Sequence, residues 1–371
     1  MTFSDEFPLH PSVCYLNHAA VSPWPKRCEQ AVQKFSHENV QWGATHYPQW
    51  MLVEKTLRKQ FQALLNAPDW QDIALVKNTS EGLSMIAYGL AWQEGDTVII
   101  SDEEFPSNRI VWESLKDKGV RVIEVPLSGE NPEADIIAAC DESTRLISIS
   151  SVQYASGFKL NLKPLGQHCK DKQILFCVDA IQSLGAHAVD VKDIHADFVI
   201  ADGHKWLMGP EGLGVFFSTS EARQQLTVNE YGWHMIEHVG DYDRKDWVVA
   251  KSARRFECGS PNMLATHALS ASLSLILEVG MEAIARELEA KMNHLTQQLD
   301  AHPNINIISA KEKQRRAGIV TFTHTSLGST ELYQLLMKKH VICANRGGGV
   351  RFSPHFYTPL EVMDKAISLI P

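Results

Sequence analysis

Phe198-Val199-Ile200-Ala201, followed at once by Asp202-Gly203-His204-Lys205, is the stretch from which the fold is read. Four consecutive apolar residues with no polar alternation describe a strand buried on both faces. The polar cluster behind them marks its carboxyl end. The same arrangement stands upstream, where Ile174–Val178 runs into Asp179-Ala180-Ile181-Gln182. Strands of this kind belong to parallel sheets covered by helices, and ligands of such sheets sit beyond the carboxyl ends of the strands.

Working outward, further strands are expected at Ile73–Lys77, Thr97–Ser101, Arg121–Val125, Leu146–Ser150 and Gly214–Phe217. Helical patterns lie between them at Glu81–Trp92, Asn108–Lys118 and Leu165–Lys170. This alternation predicts one large α/β domain with a mostly parallel, seven-stranded sheet. After Gly259-Ser260-Pro261 a long helical region, Met263–Leu299, breaks at Gly280. Strands follow near Ile305–Ile308, Gly318–Thr323, Val341–Ala344 and Val350–Ser353, with a closing helix after Pro359. The expected organisation is a large domain over 16–261 and a small α+β domain over 262–371, with 1–15 packing on it.

Composition narrows the function. Hydrophobic residues make up 44% and charged residues 21% of the 371, which is ordinary globular usage. A net charge of -9 leaves no basic field for nucleic acid or an anionic membrane. No apolar run reaches the ~20 residues of a spanning helix, and the N-terminus lacks a signal peptide's pattern. A cytoplasmic location is expected. The seven cysteines are scattered, with no CxxC pair, and read as reduced, small hydrophobes.

Four strand ends carry candidate chemistry. Lys205, beside an apolar strand end and near other cationic groups, can become nucleophilic toward an aldehyde. Asp179, at a buried strand end, needs a cationic partner, and a protonated pyridine nitrogen would be one. A helix N-cap is its ordinary alternative. Asn78-Thr79-Ser80-Glu81-Gly82 opens a helix, where free N–H groups and two hydroxyls suit a phosphate or simply cap the helix. Phe105, in the segment after Thr97–Ser101, offers an aromatic face for a ring. In order along the chain, these supply what a phosphorylated pyridine aldehyde requires.

On these residues the sequence resembles the class V aminotransferase family of fold-type I pyridoxal-phosphate enzymes. That family includes cysteine desulfurases, selenocysteine lyases, kynureninases and isopenicillin N epimerase-like proteins. The resemblance runs from Tyr15-Leu16-Asn17-His18-Ala19-Ala20 to Val350-Arg351-Phe352-Ser353-Pro354-His355-Phe356-Tyr357, and is most specific over Asp202–Gly212. It implies pyridoxal 5′-phosphate as cofactor, Lys205 as the Schiff-base lysine and Asp179 as the partner of the ring nitrogen. It implies Gln182 at the ring oxygen, and Thr79, Ser80, Asp202 and His204 around the cofactor. It makes Arg351 the clamp for the α-carboxylate of an amino-acid substrate, with Arg346 a rival for the same task. Arg255–Asn262 resembles the segment that reaches the neighbouring subunit's phosphate, with Ser260 as donor. A homodimer with composite active sites follows.

Two departures bear on the reaction. Asn345-Arg346-Gly347-Gly348-Gly349 is read as a short loop before Arg351, and it holds no cysteine where desulfurases and selenocysteine lyases need one. Cys343 falls within an apparent strand and reads as a buried structural thiol. Phe105 stands where desulfurases usually place a histidine. The expected activity is therefore transamination or cleavage at Cβ, with desulfurase or selenocysteine lyase chemistry as the alternative. A non-catalytic protein of the same fold is a further alternative. His234-Met235-Ile236-Glu237-His238 also fits the H-x-x-E-H zinc pattern, which counts only if its histidines share a helix face. Trp42-Gly43, Tyr231–His234 and His18 are candidates for the substrate side-chain pocket.

Overall fold

The apolar runs become strands because each is flanked by turns, and the central ones do not alternate enough to leave a solvated face. The computed structural model describes residues 3–371. After a two-residue strand, β1 (Cys14–Tyr15), come β2 (Ile73–Val76), β3 (Thr97–Ser101), β4 (Arg121–Val125), β5 (Thr144–Ser150), β6 (Leu175–Asp179), β7 (Phe198–Asp202) and β8 (Gly214–Ser218). These seven form one sheet in the order β2-β8-β7-β6-β5-β3-β4. Only β8 runs against the rest. Register places Ser150 beside Asp179, and Asp179 beside Ile200. The carboxyl ends of β5, β6 and β7 therefore lie side by side.

Helices cover both faces. One face meets Thr79–Gly89 and Ser107–Glu113, packing Leu83, Ile86 and Trp112 against Val98, Ile100 and Phe198. On the other, the helix Met263–Val279 brings Ala265, Leu269, Leu273 and Ile276 into one core with Ile147, Phe176 and Val199. This helix follows the boundary expected at 261, yet its apolar face lies on the large sheet. The helix expected over Asn108–Lys118 ends at Glu113; a 3-10 turn, Lys116–Lys118, then closes on Gly119 in the left-handed region.

In the C-terminal part, β9 (Ile305–Ile307), β10 (Val320–His324), β12 (Ala344–Arg346) and β13 (Gly349–Phe352) form an antiparallel sheet ordered β12-β13-β10-β9. The strand expected over Val341–Ala344 is divided. Its first half, β11 (Val341–Ile342), pairs in parallel with β1, while β12 turns to pair with β13. The N-terminal segment is thereby tied to the small sheet, and Asn17 bridges Ser353 just beyond β13. No single helix is long and apolar enough to cross a membrane.

Candidate active site

The end of β7 is folded tightly. Gly209 N–H donates to Gly203 O at 2.7 Å and Met208 N–H to Lys205 O at 2.9 Å, forming a compact turn that carries Lys205. A Cβ on Gly203 would lie 2.8 Å from Leu213 O, so only glycine fits there. Trp206, fully buried, anchors the turn in the core of the small domain. Its indole N–H donates to Gln182 Oε1 at 2.9 Å, and its carbonyl accepts from His355 Nε2 at 3.0 Å. Lys205 Nζ lies over the Phe105 ring, 5.6 Å from the centroid. Burial pushes its ammonium below the ordinary lysine range; Asp179 opposes this and Arg351 adds to it.

Asp179 closes β6 and is 1% exposed. Its Oδ1 accepts from Ile181 N–H at 3.0 Å, whereas Oδ2 is buried with no hydrogen-bond partner among the described residues. Burial, with the Glu104 charge added, raises its affinity for a proton. A buried carboxylate oxygen without a donor is costly, and a protonated pyridine nitrogen would satisfy it. Pyridoxal phosphate fits this position on that ground.

The other expected residues fall around this pair in different ways. Gln182 is committed at both ends of its amide, donating from Nε2 to Ala19 O at 3.0 Å while accepting from Trp206; one N–H remains for a ring oxygen. Asp202 Oδ1 accepts from Thr79 N–H at 2.5 Å and from Thr79 Oγ1 at 3.2 Å. Thr79 and Asp202 thus engage each other at the start of the helix Thr79–Gly89, with Ser80 the next residue. Burial raises the Asp202 carboxyl to about 6. His204 Nδ1 is 3.6 Å from Asp202 Oδ2; burial first, then Lys205, pushes its imidazole down to about 4. Phe105 is 40% exposed, and Ser260 is exposed on the surface.

Arg351, on β13, is 2% exposed. Its Nη1 donates to Tyr154 O at 2.5 Å, and its Nε is buried without a partner among the described residues. Burial, followed by repulsion from Arg346, pushes it down to about 10. Arg346 itself is exposed on β12. A buried guanidinium with a free N–H is a receptor for a carboxylate.

Two expectations change, a third holds and one motif fails. The segment Asn345–Gly349 is a hairpin rather than a loop, because Arg346 pairs with Gly349 across a two-residue turn. Gly347 and Gly348 make that turn with φ of 58° and 79°, the left-handed geometry two-residue hairpins demand. Cys343 is buried and its thiol is raised to about 12 by desolvation. His18 faces no substrate pocket: it is buried, with Nδ1 at 2.8 Å from Ser353 O and Nε2 at 2.7 Å from Tyr357 OH. The segment 234–238 is bends and turns rather than helix, so His234 and His238 do not share a face. No group of three potential ligands able to hold a metal occurs among the described residues.

Sequence reasoning passed over two residues. Glu104 is buried and accepts hydrogen bonds from Ser101, Asn108, Gln153 and Ser150, which ties the segment after β3 to the end of β5. Tyr154 lies four residues beyond β5, so the rule of inspecting strand ends would have reached it.

A doubly wound sheet with a lysine and an unsatisfied aspartate at adjoining strand ends defines a pyridoxal-phosphate-dependent enzyme of fold-type I. The aminotransferase class-V pattern matches residues 14–360. A probable cysteine desulfurase of Methanothermobacter thermautotrophicus is 27% identical over 383 residues, covering 96% of this chain and 93% of the relative. The apo structure of a cysteine desulfurase from Thermococcus onnurineus NA1 superposes with a TM-score of 0.87 at 25% identity, covering 99% of this chain and 96% of the other. A cystine C–S lyase in complex with cysteine persulfide shares the fold, with a TM-score of 0.91 at 21% identity and 98% coverage of both chains. The chain belongs to the aminotransferase class-V family, and its cofactor is pyridoxal phosphate.

Proposed function

We propose that the protein is a Cβ lyase, which removes the α-proton of an amino acid and releases the substituent on Cβ without passing it to an enzyme thiol. The hairpin at Gly347-Gly348 carries this reading. Two turn residues leave no mobile segment to bear a thiol beside Arg351, and Cys343 is buried and held protonated at neutral pH.

Pyridoxal phosphate supplies an aldehyde for the substrate amine and a protonated ring that takes up the electrons of the broken Cα–H bond. Lys205 would hold the cofactor through that aldehyde. Its lowered proton affinity then leaves the free amine able to take the Cα proton. Asp179 would hold a proton on the ring nitrogen through its open Oδ2, and Phe105 would cover the ring. Gln182 would donate to the ring oxygen, Thr79, Ser80 and His204 would border the phosphate, and Asp202 would hold Thr79 in place. Arg351 grips the α-carboxylate, fixing the Cα–H bond toward Lys205.

The site is completed by a second copy of the chain, whose Ser260 reaches this phosphate. Ser260 is exposed, and Tyr231, Tyr242 and Trp247, 62%, 74% and 52% exposed, precede it on one segment as apolar surface suited to a partner. The seven free cysteines fit a reducing, cytoplasmic setting.

Holoenzyme given L-cysteine, S-methyl-L-cysteine or β-chloro-L-alanine should yield pyruvate and ammonium in equal amounts. A second reading, cysteine desulfurase, is favoured by the named relatives and would give alanine with sulfur held on an enzyme thiol. Transamination would give a keto acid that keeps its Cβ substituent. Either product set in place of pyruvate rejects the lyase.

A further inference from the structure

A basic leaving group departs from Cβ only if it receives a proton, and Lys205 is occupied with the proton from Cα. Most side chains near the site that could donate are already engaged. Thr79 Oγ1 is bonded to Asp202, and Ser151 and Ser183 are bonded to each other at 2.6 Å. The hydroxyls of Tyr15 and Tyr357 meet Val21 O and His18. Burial holds His204 neutral, and Cys343 is enclosed in the core of the small domain.

Tyr154 differs from all of these. It is partly buried, and its hydroxyl bonds to no group among the described residues. Its ring stands edge-on to Phe105 at 5.0 Å and 78°, and that same Phe105 ring lies under Lys205 Nζ. Its backbone carbonyl holds Arg351, whose guanidinium also senses the phenol electrostatically. The proton acceptor and the phenol ring thus share Phe105 as a neighbour, and the backbone of the residue that carries the uncommitted O–H holds the carboxylate clamp.

We propose that Tyr154 is the general acid that protonates the leaving group on Cβ, an inference that rests on the lyase reading. Lys205 takes the Cα proton, and the Cβ–S bond breaks with its electron pair remaining on sulfur. The Tyr154 O–H gives its proton to that sulfur, so a neutral thiol departs. Arg351 lies beside the negative charge left on the phenolate. The proton on Lys205 returns to the phenolate through solvent. Water hydrolyses the released 2-aminoacrylate to pyruvate and ammonium, and no oxidant or reductant is consumed.

The test compares two leaving groups in Tyr154→Phe, which keeps the ring on Phe105 and removes only the hydroxyl. Chloride needs no proton, so kcat for β-chloro-L-alanine should stay within about threefold of wild type, which also reports an intact site. With S-methyl-L-cysteine kcat should fall about 100-fold or more at little changed KM. Cofactor affinity, read by absorbance titration, should be unaltered. Equal loss on both substrates, or a rise in KM for both with kcat preserved, would assign Tyr154 to packing or carboxylate binding and overturn the proposal. Wild-type enzyme that eliminates from neither compound would bring down the lyase reading itself.

Discussion

At position 179 a carboxylate is buried with one oxygen bonded and the other open, an arrangement a folded chain tolerates poorly unless a ligand completes it. Asp179→Asn keeps the shape and removes the charge. A neutral amide cannot hold a proton on the ring nitrogen, and losing one member of such a buried pair costs about 3 kcal/mol or more. Turnover of β-chloro-L-alanine is expected to fall over about 100-fold, with weaker cofactor binding in the absorbance titration. Activity close to wild type would remove Asp179 from its assigned role. At this scale much could be read in advance, because Asp179 and Lys205 both sit directly after continuous apolar runs. Inspecting strand ends would also have reached Tyr154, but not its contact with Phe105, 49 residues upstream by number (154 − 105).

Among the elements, the segment after β13 acts as a strap. Ser353 Oγ accepts from Ala19 N–H at 3.0 Å, and His355 reaches across to the carbonyl of Trp206, beside Lys205. Nδ1 of His355 accepts from Phe356 N–H at 2.8 Å, so the ring must remain neutral, and burial pushes it down to about 4. Unfolded histidine titrates near 6.5, so the stability this ring contributes is complete above that pH and is lost as pH falls toward 4. Between pH 7 and 4, wild type should lose about 3 kcal/mol relative to His355→Gln, measured by denaturant unfolding of both proteins at each pH. A gap independent of pH would show that His355 is not held neutral. The hairpin β12–β13 marks where local reading stopped. Gly347-Gly348 signalled a turn, but only the pairing of Arg346 with Gly349 made it a two-residue one.

For the whole molecule, the proposed composite site makes a direct prediction. Lys205→Ala and Ser260→Asp homodimers should each be inactive, the second because a carboxylate would face the phosphate. Mixed and allowed to exchange subunits, they should regain up to about a quarter of wild-type turnover, since one heterodimer site in two is free of both changes. No recovery despite exchange, followed by light scattering, would place Ser260 outside its neighbour's site. By itself the sequence determined the sheet, the break at Gly280, and the candidate lysine and aspartate. Those depend on runs of a few residues whose burial and turns are local properties. Tertiary structure alone decided that Asp202 engages Thr79, that His18 is a buried brace and that Tyr154 packs edge-on to Phe105. Each of these is a contact between segments far apart in the chain, made specific by close packing and by pairing of buried polar groups, which no single stretch of sequence encodes.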